Sequence, residues 1–284
     1  MNDIEINRLI NRSVINLDKP SGITSQEVVI EIKRLFNIKK CGHTGTLDPK
    51  VTGVLIIALE NATKAMPVLM GLDKEYEGLM YLHKDIDRKI LEKIISKYFI
   101  GEITQIPPVK SHVARQPRKR IIYSFEILNK EGKNVKFKTR VQAGTYIRKL
   151  CSDIGEKLGI KAHMKSLRRI NVGSFSINDS HTMEEIKEAY KSGKQLKNIL
   201  IPIENAIPHV KKVCVKDSAI KLIQNGAPIL NSYIEKMQSN IKNKEYVAIF
   251  SSDNRLIAIG ISKFSSEEMK NRIKQAVIKI DRVF

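Results

Sequence analysis

The stretch Cys41 to Leu55, CGHTGTLDPKVTGVL, constrains this chain more than any other part of it. Gly42, Gly45, Asp48 and Pro49 build a turn-rich loop that runs straight into Val54 to Leu59, an apolar run that reads as a strand. Glycine lets backbone approach a ligand closely, and a residue before proline is held extended or turning. The Asp48 carboxylate is therefore free of any helix. An Asp-Pro pair alone marks only a turn. It is the loop as a whole that makes Asp48 a candidate catalytic carboxylate.

Around this loop the chain alternates element types. Residues 1–13 show no clear period and read as an N-terminal arm. Val14 to Leu17 reads as a strand, residues 18–22 as a turn, and Thr24 with Glu27 as a capping box opening a helix. Lys74-Glu75-Tyr76 leads a further strand to His83. The period of Ile90, Leu91, Ile94, Ile95 and Tyr98 predicts a core-facing helix over 87–99, and 101–108 reads as a loop. Residues 121–128 and 133–141 alternate as a hairpin with one wet face. A helix follows with Ile147, Leu150, Cys151, Ile154 and Leu158 inward and Arg148 off that stripe near its start. Val172 to Ile177 reads as a strand, and Thr182 with Glu185 caps a helix ending near Gly193. Beyond Pro202 the texture changes to short strands around one helix from Asp217, the pattern of a small, mainly β domain.

Charge narrows the partner. The 284 residues carry a formal charge of +20 with pI near 9.8, which points to a polyanion. The excess is not a tail, since residues 205–284 hold 14 Lys or Arg against 7 Asp or Glu. No acidic residue occurs from Ile103 through Phe125, where Lys110, Arg115, Arg118, Lys119 and Arg120 accumulate between proline-containing breaks. Such a run suits a loop that grips phosphates. Aromatic residues make up 6% and Trp is absent, which favours binding through backbone charge over a stacking platform. Cys41, Cys151 and Cys214 stand far apart in no metal-ligand spacing, so neither a disulfide framework nor a zinc site is expected, and no metal or organic cofactor enters the reading. With no signal-like segment and no membrane-length apolar run, a reduced, cytoplasmic setting is expected.

GHTGTLDPxxTGVL resembles the signature of the TruB and dyskerin family of pseudouridine synthases, with TGTLDPKVTG closest in wording to the dyskerin branch. INLDKPSGITS, the KEY triplet at Tyr76, GTYIRxL at Arg148, AHMxxLRR at 162–169 and DSAxxxIxxGAP near the C-terminus are similar to further family segments, in the family's order. The resemblance implies an α+β fold: a mixed, largely antiparallel sheet with flanking helices over 14–203, then a PUA domain over 204–284. It implies a guide-RNA-directed box H/ACA ribonucleoprotein of archaeal type. The expected partners are guide and substrate RNA (rRNA, tRNA), a small zinc-ribbon subunit, a β-barrel subunit near the basic loop, and a kink-turn-binding protein.

By that resemblance Asp48 is the nucleophile, Tyr76 stacks on the target base, and Arg148 pairs with Asp48. Leu150 lines the uridine pocket, His43 helps hold displaced RNA, and Lys19 with Pro20 braces the loop beside the substrate. Lys161, His163, Arg168 and Arg169 join the basic loop as RNA-binding positions. The loop departs from the family in detail, with Ile106 where Arg is usual and SHVAR at 111–115. The chemistry agrees with the roles. A guanidinium holds a carboxylate at two points and favours its ionised form, both of which a nucleophilic Asp needs. A base inside folded RNA must leave its stack to be reached, and an aromatic face can receive it. A stand-alone tRNA enzyme and a non-catalytic RNA scaffold are the alternatives.

Overall fold

The computed structural model describes residues 3–107, 114, 116–272 and 275–284. Two sheets organise them. The first has ten strands: β1 Ser13–Lys19, β2 Cys41–His43, β3 Thr52–Leu59, β4 Lys74–Leu82, β5 Gly101–Gln105, β6 Arg118–Glu131, β7 Asn134–Val141, β8 Ala162–Val172, β9 Phe175–Ser176 and β10 Leu200–Pro202. Their order is β10-β1-β3-β8-β4-β7-β6-β5, with β2 on β3 and β9 on β8. Among the described strand pairs of this sheet only β3 with β8 is parallel, so the sheet is mixed and largely antiparallel.

That parallel pair matters for function. It brings the strand leaving the Asp48 loop beside β8, and β4 with Tyr76 lies on the other side of β8. The register sets Gly53, Arg169 and Tyr76 in one line across three strands.

Helices α1 Asp3–Asn11, α2 Ser25–Leu35, α3 Met66–Met70, α4 Arg88–Tyr98, α5 Ile147–Lys157 and α6 Met183–Ser192 flank this sheet. α2 and α6 both open on the capping boxes expected at Thr24 and Thr182, and Gly193 ends α6 in the left-handed region at φ 64°. The main core joins one face of β1, β3 and β4 to α2, α5 and α6 through Leu17, Val28, Ile32, Leu55, Leu150, Ile154 and Ile186. Each such side chain contributes roughly 1.5–3 kcal/mol by leaving water.

The second sheet, β12-β16-β15-β14-β11-β13, comprises β11 Lys211–Val215, β12 Ile229–Leu230, β13 Ile234–Met237, β14 Tyr246–Phe250, β15 Leu256–Ser262 and β16 Ala276–Val283. A helix over Asp217–Gln224 packs on it. The sheets share a core. Val14, Val54, Ile56 and Ala58 from the far face of β1 and β3 meet Ile203, Ile207, Ala248, Phe250, Leu256 and Ile259. Arg12 adds a polar tie, with Nη2 donating to Glu204 Oε1 and to the Leu256 carbonyl, each at 2.8 Å.

Several expectations need correction. The N-terminal arm is helical from Asp3 to Asn11, with Ile10 buried and Ile6 and Leu9 packed against the main core. The segment read as a loop after α4 holds β5, which pairs with the start of β6. Val172 to Ile177 is not one strand: β8 ends at Val172 and turns into β9. In α4 only Leu91 and Ile95 are buried, whereas Ile90 is 55% and Tyr98 40% exposed, so its inward stripe is narrower than its apolar period.

Candidate active site

The backbone of the Asp48 loop is held on both sides of Asp48, and the Val51 N–H donates to the Asp48 carbonyl at 2.9 Å. Thr44 N–H donates to the Ile56 carbonyl at 3.1 Å, and Leu47 N–H donates to Ser25 Oγ at 2.8 Å. Ser25 in turn donates to the Leu47 carbonyl at 3.2 Å, which pins the loop to the first turn of α2. Gly22 N–H donates to the Pro49 carbonyl at 3.0 Å. Thr44, Leu47 and Val51 are buried, while the Asp48 side chain remains 48% exposed. Fixed backbone with one open carboxylate is the arrangement a positioned nucleophile requires.

Arg148 meets that carboxylate. It follows Ile147 in the first turn of α5, and its Nη2 pairs with Asp48 Oδ2. Both side chains are about half exposed, at 50% and 48%. An exposed ion pair adds only about 0–1 kcal/mol to stability, so this one matters chiefly for orientation. The start of α5 is itself clamped by a residue that sequence reasoning missed. Gln105 on β5 donates through Nε2 to the Tyr146 carbonyl at 3.2 Å and accepts from the Tyr146 N–H at 3.0 Å. A lone Gln gives no signal in a sequence; its strand and its partner became visible only in the fold.

Tyr76 is buried at one strand's remove from the loop, opposite Arg169 on one side and Thr139 on the other. Leu150 is fully buried in the main core. His43, on β2, has a buried Nδ1 without a hydrogen-bond partner. Burial and then the Arg169 charge lower its pKa, so its ring favours the neutral form.

Lys19 is 0% exposed, and its ammonium donates to the carbonyls of Pro20 and Ile23 at 2.7 Å each and of Pro49 at 3.1 Å. With its three donors spent on backbone, it braces the loop and offers none to a substrate. Burial lowers its pKa, offset in part by Glu27.

The RNA-binding expectations divide. Lys110 and Arg115 lie outside the described residues. Lys119 is exposed and paired with Glu102 at 2.8 Å; Arg118 donates to the Ala114 carbonyl at 3.4 Å. Arg120 packs beside Gly144 with Nε buried and unpartnered. Lys161 is exposed, and the exposed His163 has its Nδ1 3.0 Å from His83 Nε2. Arg168 donates to Asp18 Oδ2 at 2.6 Å and to Thr52 Oγ1 at 3.3 Å, with its side chain 43% exposed. Arg169 differs from Arg168. It is 2% exposed, because alternate residues of a strand face opposite ways.

Comparison with known proteins bears on this geometry. Residues 33–147 match the model of the TruB family pseudouridylate synthase N-terminal domain, 148–208 that of the tRNA pseudouridylate synthase B C-terminal domain, and 211–284 that of the PUA domain. A probable tRNA pseudouridine synthase B of Nanoarchaeum equitans is 44% identical over 98% of this chain and 81% of its own length. One from Pyrococcus furiosus is 41% identical over 97% and 83%. Among solved structures, a chain of a Cbf5-Nop10-Gar1 complex superposes with TM-score 0.91 at 40% identity, covering 98% of this chain and 86% of that one. A chain from an H/ACA RNP bound to a substrate RNA containing 2′-deoxyuridine superposes with TM-score 0.89 at 38% identity, covering 98% and 87%.

Proposed function

Because this chain belongs to the TruB family of pseudouridine synthases, with a C-terminal PUA domain, we propose that it works as the catalytic subunit of a guide-RNA-directed box H/ACA ribonucleoprotein. It is an isomerase acting on RNA. In the reaction the uridine N1–C1′ bond breaks, C5 bonds to C1′, the proton on C5 leaves and N1 takes one up, so the atoms balance without a co-reactant. The observation that carries the ribonucleoprotein reading is the superposition, over nearly the whole chain, on chains of an H/ACA RNP and of an archaeal box H/ACA sRNP complex.

In this reading Asp48 is the nucleophile that frees the uracil to turn, and Arg148 aims its carboxylate. Tyr76 receives the extruded base, Leu150 backs its pocket, and His43 stands beside the displaced strand. Exposed Lys119 and Lys161, with Lys110, Arg115 and Arg118, meet phosphates of guide and substrate RNA. The chain divides into catalytic residues 14–203 and PUA residues 204–284, supported by β10 ending the first sheet at Pro202 and β11 opening the second at Lys211. Its protein partners are a small zinc-ribbon subunit, a β-barrel subunit and a kink-turn-binding protein. Its setting is the cytoplasm of an archaeon, as the similar proteins are archaeal; no described helix is long and apolar enough to cross a membrane.

Pseudouridine formation in a uridine-labelled RNA, with and without a matching guide and the accessory proteins, tests this. Guide-dependent product supports it. Guide-free product confined to tRNA supports instead the stand-alone enzyme, the reading favoured by the relatives' description as tRNA pseudouridine synthase B. RNA binding with no product under any condition sinks both.

A further inference from the structure

Arg169 is a buried cation for which no described carboxylate lies within ion-pairing distance. Burying a charge in this way is costly unless every donor finds an acceptor. Its neighbour Arg168 has Asp18, but Arg169 is met by backbone alone. Its Nε donates to the Val54 carbonyl at 2.7 Å, and its Nη2 donates to the Gly45 carbonyl at 3.0 Å. Gly45 precedes Asp48 and Val54 follows it, so one planar guanidinium spans both arms of the loop. The fixed fork of the group suits it to two acceptors at once, as an ammonium does not.

The backbone of the same residue sits between the two halves of the site. Arg169 is paired with Gly53 on β3 and with Tyr76 on β4. Gly53 has φ 103°, and a Cβ there would stand 2.1 Å from the Arg169 carbonyl oxygen, so only glycine admits this approach. We infer that Arg169 is a positioning residue for the isomerisation, fixing the Asp48 loop against the strand that carries Tyr76 and so setting the separation of nucleophile and base. A misplacement of about 1 Å can cost on the order of 100-fold in rate, which makes such a clamp worth a buried charge. The inference rests on Asp48 being the nucleophile.

The test uses the full chain with its RNA, comparing wild type with Arg169→Lys, Arg169→Met and Asp48→Asn. Single-turnover rates at saturating RNA, RNA affinity and thermal stability are measured for each, with the His43 ring titration followed by NMR. The inference expects both Arg169 variants to lose at least about 10-fold in rate while RNA affinity changes less than about threefold. It further expects His43 to titrate higher in Arg169→Met, where the neighbouring charge is gone, and to stay depressed in Arg169→Lys, where it is kept.

Loss of rate with the His43 titration preserved in Arg169→Lys separates the clamp from the charge. Full rate in Arg169→Lys, or an RNA affinity that falls in step with rate, overturns the inference. If Arg169→Met does not fold, Arg169→Lys alone decides by the same rate criterion. Activity retained in Asp48→Asn removes the nucleophile reading itself, whatever the Arg169 variants show.

Discussion

Lys19 Nζ lies 3.1 Å from the carbonyl oxygen of Pro49, so the residue immediately after Asp48 is held by a buried ammonium that also closes the turn at Pro20 and Ile23. Lys19 and Pro49 are thirty residues apart in sequence, and Asp48 shares the small piece of backbone that joins them. Replacing Lys19 by Met is expected to leave those carbonyls unmet at a cost of roughly 2–4 kcal/mol, with a rate loss of about 10-fold or more in the folded fraction. Urea unfolding and single-turnover kinetics on the same preparation check both. A stable, fully active variant would show that the turn holds itself.

Asp48 and Arg148 are both solvent-accessible, which separates catalysis from stability at this pair. Asp48→Asn is expected to lower the rate by about 1,000-fold or more, and Arg148→Ala by about 100-fold, each changing stability by less than about 1 kcal/mol. Arg148→Lys keeps the charge but not the planar fork of the guanidinium and is expected to retain only part of the rate. Equal losses of rate and of melting temperature would contradict this division.

Lys74, buried at the start of β4, donates to the Met70 carbonyl at 2.7 Å and the Leu72 carbonyl at 2.5 Å. Burial, and then the Arg169 charge, bring its pKa to about 8 from the ordinary 10.5. From about pH 8 to 10.5 the unfolded chain therefore binds the extra proton, and the stability owed to this site rises with pH. Denaturant unfolding of wild type and Lys74→Met across that window is expected to show wild type gaining on the variant. A constant difference would mean that the amine stays charged in the fold.

Burial acts in the opposite sense on two thiols. Cys41 and Cys151 are both pushed to about 12 from 9.0, so above pH 9 the unfolded chain ionises them while the native chain does not, and their contribution falls. At pH 8 in native buffer, Cys214 is expected to alkylate first and Cys151 only after denaturation, as intact-mass measurement and peptide mapping would show. Early labelling of Cys151 would indicate that α5 opens locally.

The Asp48 loop was legible in the sequence because its turn residues and its strand are contiguous, and the capping boxes were legible for the same reason. The pairing of Arg148 with Asp48 was legible from a short motif at a helix start. Arg168 and Arg169 could not be told apart, since two adjacent arginines read as one basic patch until β8 assigns them to opposite faces. The β5 sequence GEITQ offers no strong alternation, and Gln105 acquires its role only through a partner 41 residues away. In α4 the period was right, but the depth of burial depends on what packs above it, as exposed Ile90 shows. Local chemistry was readable, whereas roles that depend on long-range pairing were not.

The apolar layer between the two sheets ties the C-terminal domain to the strand that leaves the Asp48 loop. Val54 and Ile56 leave the Asp48 loop and pack, within a few residues, among Ala248, Phe250 and Ile259 of the second sheet. Whatever the second sheet holds is therefore held at a set distance from the Asp48 carboxylate, because the strand leaving the loop is packed into that sheet's core.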